Sequence, residues 1–301
     1  MIPQQENARF GPTDALWRLE PSIVLALIVF LFFLTGCGGS IPDDNDAAET
    51  DLNPPPIVDG TWYRPVTAVT WQWQLQGAVN TAYNVDLYDI DLFDSSEALI
   101  RQLQADGKKV ICYFSAGSYE AWRPDAGQFE PESLGNPLDD WPGERWLDIR
   151  NENVRIVMKD RLDLAQQKGC DGVEPDNVDA YANDSGFDLT PDDQLVFNRF
   201  IANETHARGL AAGLKNDLDQ INDLIAYYDF AVNEQCFEYA ECALLMPFIQ
   251  QGKAVLSVEY APDTIDDETV RREICTEARD LQFSTLILPL ELDDSFRYSC
   301  W

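Results

Sequence analysis

A single histidine, His206, serves the whole chain of 301 residues, and that scarcity removes most chemistry built on imidazole. Zinc sites rich in histidine and histidine-relayed metal hydrolysis need more than one such residue. A Ser-His-Asp triad would have to recruit His206 from near the end of a helix, where it is expected to bond a nearby carbonyl. No GxGxxG run and no P-loop is present, so neither common nucleotide cradle is encoded and no cofactor is expected. Basic residues are also few, 21 against 53 acidic ones, for a formal charge of −32. Nucleic acids and anionic membrane surfaces are repelled by such a chain, and cationic partners are favoured. The same charge keeps an exported protein soluble, so alone it does not specify a ligand.

What is present begins with an apolar run. Residues 21–36 read PSIVLALIVFLFFLTG after a segment carrying Arg9 and Arg18, too short a run to favour a bilayer span, so residues 1–36 read as an export signal. Leu34, Thr35 and Gly36 before Cys37 resemble a bacterial lipoprotein cleavage box. That resemblance implies lipidation of Cys37 and a domain held outside the cytoplasm, on the cell envelope. Residues 37–56 are polar, acidic and proline-ended, as a tether would be, and residues 57–301 form the expected single domain. Six cysteines remain, an even number suited to an oxidising compartment. Cys236 with Cys242 would close a small loop, and Cys275 with Cys300 would staple the C-terminus. Cys112 and Cys170 either pair or stay as buried thiols.

Strand and helix patterns alternate through the domain at βαβ spacing. Strands are expected over 71–75, 84–93, 108–115, 171–176, 209–217, 228–234, 253–260 and 285–292, with a small accessory strand over 146–149. The helix after the second strand has Asp94 and Ser95 as candidate N-caps and Gly107 as its end, and a helix is expected over 218–227. Thr190 and Pro191 open a later helix that runs to about residue 207. Eight strands are the number that closes a (β/α)8 barrel, so the predicted fold is a single α/β barrel. Residues 116–145 lose all periodicity and are rich in Trp, Gly, Pro and Asp, a long loop of the kind that usually carries function.

The densest chemistry lies in Asp171-Gly172-Val173-Glu174-Pro175-Asp176-Asn177-Val178-Asp179-Ala180-Tyr181. Strand alternation puts Gly172, Glu174 and Asp176 on one face, costly in a core and useful in a site. Asp171 and Asp179 are expected to be loop and capping residues. Polar residues recur at the other strand ends: Asp89 and Asp91, Ser115, Lys215 with Asn216 and Asp217, Asn233 with Glu234, Glu259, and Glu291. Barrel enzymes build their sites on that face. With imidazole chemistry removed, paired carboxylates remain, and glycoside hydrolysis is the reaction best known to run on two acids alone. On residues alone, Asp176 and Glu174 rank equally.

The segments at 108–125 (KKVICYFSAGSYEAWRPD), 141–150 (WPGERWLDIR), 169–181 (GCDGVEPDNVDAY), 206–217 (HARGLAAGLKND), 230–242 (FAVNEQCFEYAEC) and 252–260 (GKAVLSVEY) resemble glycoside hydrolase family 114, the endo-α-1,4-polygalactosaminidases. The resemblance covers roughly residues 60–295. It implies a barrel fold, a galactosamine-containing exopolysaccharide as substrate, Asp176 as nucleophile and Glu234 as acid/base. Beside them, Asp89, Asn177, Asn216 and Glu259 are candidates to bind sugar hydroxyls or amines, and Tyr113, Tyr181 and Trp122 are candidate stacking platforms. Glu174 either touches sugar directly or pairs with Lys215. A galactosamine polymer lacking some acetyl groups is cationic, which suits the acidic chain. A monomer is expected. Competing readings are a barrel lipoprotein that holds polysaccharide without cutting it, and a barrel hydrolase using Mg²⁺ or Ca²⁺ held by the acids.

Overall fold

The structure, a computed structural model, describes residues 54–301; the export signal, Cys37 and nearly all of the tether lie outside the described residues. The backbone at the start is fixed to the domain by Asn203, which accepts from Ile57 N and donates to Pro55 O, and by Tyr227, which donates to Pro54 O.

In chain order the elements are β1 (Trp71–Gln74), β2 (Leu87–Asp91), α1 (Glu97–Ala105), β3 (Lys109–Ser115), β4 (Ser118–Glu120), β5 (Leu134–Pro137), β6 (Glu144–Leu147), α2 (Glu152–Lys168) and β7 (Gly172–Asp176). There follow α3 (Pro191–Ala207), β8 (Ala211–Lys215), α4 (Ile221–Leu224), β9 (Phe230–Glu234), α5 (Met246–Gln250), β10 (Val255–Glu259), α6 (Pro262–Asp266), α7 (Glu268–Asp280), β11 (Ser284–Ile287) and β12 (Tyr298–Ser299). The eight expected strands are β1, β2, β3, β7, β8, β9, β10 and β11, paired in that order and all parallel. This is the α/β barrel arrangement.

Two departures from a regular barrel mark its seam. Residues 75–86, between β1 and β2, carry no helix, and among the described residues no ladder joins β1 to β11. Instead β12 lies antiparallel on β11, and Arg297 beside it donates to Trp71 O and to the Gln72 side chain. The Trp71 indole reaches across to Ser284 O at 2.7 Å. Side chains and the C-terminal strand therefore hold together what a ladder would otherwise close.

Alternation along the strands separates two cores. Inward residues Trp71, Trp73, Leu87, Ile111, Phe230, Val232, Leu256, Val258 and Leu286 fill the barrel. Outward residues such as Ile90, Cys112, Phe114, Val173, Leu214 and Val255 pack under Leu103, Met158, Leu162 and Phe197 of the helices. Gly172 and Gly213 face inward, where a Cβ would strike Ile111 and Ala211 or the Phe230 ring, so the bottom of the barrel is closed by close packing. Three disulfides tie the shell together: Cys112–Cys170, Cys236–Cys242 and Cys275–Cys300.

Several sequence expectations are adjusted. The N-cap of α1 is Ser96, whose side chain accepts from Leu99 N, because Asp91 bonds Phe93 N and Asp94 N and delays the helix. The helix expected over 218–227 shrinks to a 3-10 turn and the single turn of α4. The eighth strand ends at Ile287, ahead of Pro289, which leaves Glu291 exposed in a loop beyond the strand end. The accessory strand expected at 146–149 is present as β6, beginning two residues earlier at Glu144, and the aperiodic loop after β3 adds β4 and β5 on either side of it to make a small antiparallel sheet.

Candidate active site

Three strands end on a functional side chain and then turn sharply. Asp176, Lys215 and Glu234 are the last residues of β7, β8 and β9. Each is followed by a residue in the left-handed region: Asn177 (φ 58°), Asn216 (φ 47°) and Gln235 (φ 63°). Asn tolerates this backbone better than most residues, and the turn leaves the preceding side chain pointing into the barrel mouth. Such conformations cost about 1–3 kcal/mol each and persist where the surroundings enforce them. Here the enforcing bonds are Asn177 N to Asp176 Oδ1 at 2.7 Å and Glu234 N to Asn216 Oδ1 at 3.0 Å.

Lys215 is the hub. Its Nζ lies 3.0 Å from Asp176 Oδ1, 3.1 Å from Glu234 Oε2 and 3.5 Å from Glu174 Oε1. Burial alone would discharge this lysine; the three carboxylates, Asp176 first among them, overcome that and hold it firmly protonated. Asp176 Oδ2 also accepts from the Tyr113 hydroxyl at 3.0 Å. Glu234 accepts from the Tyr260 hydroxyl at 2.8 Å and from Asn216 Nδ2 at 3.1 Å. Burial keeps both phenols protonated, Asp176 adding to the effect at Tyr113 and Glu234 at Tyr260, so they remain donors.

Beneath this layer Asp89 and Glu174 lie next to each other in the barrel interior, both fully buried and with no carboxylate oxygen of either in hydrogen-bonding geometry with a partner. Burial pushes Asp89 up to about 7 and Glu174 well above the usual carboxylate range. The pair therefore carries a proton at neutral pH, which relieves the barrel of one buried charge.

Above it opens a cleft of about 600 Å³ lined by Trp73, Tyr113, Glu144, Trp146, Asp176, Asn177, Asp179, Lys215, Asn216 and Glu234 among others. Asn136 of β5, with Asp139 and Trp141 of the loop that joins β5 to β6, forms one wall. Burial pushes Glu144 up to about 7, aided by Glu120 and Asp176 and opposed by the Ser118 hydroxyl at 2.7 Å. Asp179 is likewise pushed up to about 6 by burial and then by Asp176.

The structure brings Asp176, Glu234, Tyr113, Asn177, Lys215 and Asn216 together in the cleft. Glu174 pairs with Lys215, below the cleft floor, and Asp89 lies beside it; neither lines the cleft. Glu259 points out of the barrel, because inward alternation on β10 runs through Leu256 and Val258, and it accepts from Phe237 N and Glu238 N instead. By the same alternation Tyr260 faces inward and meets Glu234. Trp122 is exposed beside Gly143 and does not line the cleft, while Tyr181 lines a neighbouring pocket. Sequence reasoning missed Tyr260, Trp73, Glu144, Trp141 and Trp146 and set Asp179 aside as a capping residue. Counting alternation from Val258 would have found Tyr260; no sequence signal brings Glu144 to the cleft, since the fold of its loop does that.

An eight-stranded parallel barrel with an acid-lined, aromatic-walled cleft of sugar dimensions at its C-terminal strand ends is the architecture of a barrel glycoside hydrolase. The chain belongs to glycoside hydrolase family GH114, whose sequence profile matches residues 53–300. The crystal structure of Aspergillus fumigatus Ega3 in complex with galactosamine is 46% identical, covers 79% of this chain and 97% of its own, and superposes with a TM-score of 0.76. The glycoside hydrolase domain of PelA from Pseudomonas aeruginosa shares the fold at 13% identity and a TM-score of 0.61, covering 76% of this chain and 98% of its own. An uncharacterised protein of Deinococcus radiodurans is 26% identical over 270 residues, 78% of this chain and 88% of that protein.

Proposed function

We propose that this glycoside hydrolase cuts within chains of α-1,4-linked, partly deacetylated and therefore cationic galactosamine polymers. Asp176 acts as nucleophile and Glu234 as acid/base. The observation that carries the reading is Lys215 bridging these two carboxylates at 3.0 and 3.1 Å. That bridge keeps the two bonded oxygens no more than about 6 Å apart, which fits the short separation of retaining enzymes better than the wider gap an inverting enzyme keeps for water. Asp176 accepts from Lys215, Tyr113 and the backbone N–H that follows it, and these bonds fix its carboxylate for attack on the anomeric carbon. Glu234 is the more exposed of the two and reaches the side of the cleft from which a proton can be exchanged with solvent.

The roles follow from that geometry. Asp176 forms a bond to the anomeric carbon as the glycosidic bond breaks, and Glu234 gives its proton to the departing oxygen. Glu234 then takes a proton from a water whose oxygen bonds to the anomeric carbon as the bond to Asp176 breaks, which frees the carboxylate. The galactosamine bound by the similar Ega3, together with the net charge of −32, supports an amino sugar polymer. Retention by an N-terminal lipid at Cys37, outside the cytoplasm, belongs to the same proposal and rests on the sequence around that residue.

Incubation with partly deacetylated galactosamine polymer, followed by mass analysis, tests the reading. Oligosaccharides are expected from the natural chain and none from Asp176→Asn or Glu234→Gln, with polymer binding kept. Reducing ends released at the natural rate by either variant would sink the assignment.

A further inference from the structure

Glu259 is the last residue of β10, and its side chain is fully buried on the outer side of the barrel, away from the cleft. Both of its oxygens accept from backbone, Oε1 from Phe237 N at 3.0 Å and Oε2 from Glu238 N at 3.3 Å. Burial pushes its carboxyl up to about 7 against the pull of those two N–H groups, and the charged residue facing it, Glu238, carries the same sign. A carboxyl buried in this way is costly, so its two bonds are kept for what they hold.

They hold the turn that leaves β9 directly after Glu234. The parallel ladder sets Val258 beside Glu234 and ends with Gln235 N donating to Val258 O at 2.8 Å. Gln235 then takes φ 63°, and the chain turns away with Tyr239 N on Gln235 O at 3.0 Å and Glu241 N on Cys236 O at 2.9 Å. At the open end of such a turn the first N–H groups have no carbonyl to reach. Glu259 supplies the acceptors that the ladder no longer offers, and the Cys236–Cys242 disulfide closes the other end. One residue further on, Tyr260 faces the opposite way and donates to Glu234 Oε1 at 2.8 Å. Adjacent residues at one strand end therefore grip the backbone behind Glu234 and the carboxylate itself.

We propose that Glu259 is a positioning residue for Glu234, fixing through Phe237 and Glu238 the backbone on which the acid/base stands. The inference rests on the glycosidase reading above and adds to it a residue that touches no sugar. Asp176 is held from β3 and β8 by Tyr113 and Lys215, so a loosened turn after β9 leaves the nucleophile in place. Only the acid/base drifts. A misplacement of about 1 Å can cost about 100-fold in a chemical step. Glu259→Gln preserves the volume, but its amide accepts from one N–H and sets a second donor against the other.

The test isolates proton transfer. On partly deacetylated galactosamine polymer, Glu259→Gln is expected to lower kcat about 10- to 100-fold, with KM within about twofold of the natural chain. A second substrate, an α-galactosaminyl oligosaccharide with dinitrophenolate as leaving group, needs no proton: Asp176 bonds the anomeric carbon and the phenolate departs with the electron pair. Its first turnover by the variant is expected within about threefold of the natural rate, followed by slow steady release. Azide is expected to restore that release, because it bonds the anomeric carbon as the bond to Asp176 breaks and needs no base. An unchanged polymer kcat, or a first turnover as impaired as the polymer reaction, overturns the inference. A natural chain that cuts neither substrate contradicts the glycosidase reading instead. The turn is then judged by hydrogen exchange on the natural chain, an arm that needs no variant to fold. The Phe237 and Glu238 amides are expected to be protected about 100-fold or more, and exchange at free-peptide rates overturns the inference.

Discussion

The Nζ of Lys215 stands 3.0 Å from Asp176 Oδ1, and the same buried ammonium faces Glu234 and Glu174. A single cation thus holds three carboxylates that would otherwise repel one another in a region of low dielectric. Lys215→Met removes it while nearly preserving volume. Breaking a buried ion pair by removing one partner costs about 3–5 kcal/mol, so a clear loss of melting temperature is expected together with loss of hydrolysis. The deficit should shrink at pH 5 relative to pH 8, because carboxylates that take up protons no longer need the cation. Thermal melts of both proteins at the two pH values check this; equal melting temperatures at pH 8 would remove Lys215 from its central role.

Stability as a whole is expected to fall as pH rises. Burial pushes Asp89, Glu144 and Glu259 up to about 7, Asp179 to about 6 and Asp217 to about 8. The unfolded chain titrates these groups near ordinary carboxylate values, so between those values and about 8 the native state binds protons that the unfolded state has lost. Stability is therefore fully present below the unfolded values and drains away as pH climbs through the folded ones. A melting temperature that falls from pH 5 to pH 8 is the expected profile, and Asp89→Asn should flatten it. A melting temperature that climbs over this range would contradict the buried protonated carboxyls.

Tyr260, the residue just after β10, gives Glu234 a hydrogen bond at 2.8 Å. Bonds from neutral donors to charged groups are worth about 1.5–3 kcal/mol, so Tyr260→Phe is expected to lower kcat roughly 10- to 100-fold. Melting should change far less than activity, since the ring itself keeps its packing. Unchanged turnover would assign the phenol a packing role only.

The strand count, the strand order and the inward face of β7 were all legible, because alternation and glycine-ended helices leave strong local marks in sequence. Glu259 shows where legibility stops. It ends an expected strand like Glu234 does, yet its side chain faces outward, and only the register with Val258 and Glu234 reveals that. Asp89 and Glu174 share the inward face with Asp176 but lie deeper, and depth along the barrel axis has no signature in residue type. Trp141 and Glu144 reach the cleft because an aperiodic loop folds into its own small sheet, a tertiary event that no local pattern encodes. Cys112 and Cys170 were open between thiols and a bridge, since pairing depends on β3 and β7 lying side by side, which brings together cysteines 58 residues apart in sequence.

The disulfides should divide stability from activity. Cys112–Cys170 joins β3 to the approach of β7 across 58 residues, so it removes much freedom from the unfolded chain. Cys112→Ala with Cys170→Ala is expected to cost about 2–5 kcal/mol, a melting shift of roughly 2–4 °C for each kcal/mol in a domain of this size. Cys236–Cys242 closes a loop of separation 6, where the entropic gain is small, but it begins two residues after Glu234 and shapes the loop whose backbone N–H groups are bonded by Glu259. Replacing both of these by alanine should lower kcat more than it lowers the melting temperature, the reverse of the first pair. Paired thermal melts and initial rates of oligosaccharide release distinguish the two effects, and a large melting shift from the short bridge with turnover intact would show that its loop plays no part in placing Glu234.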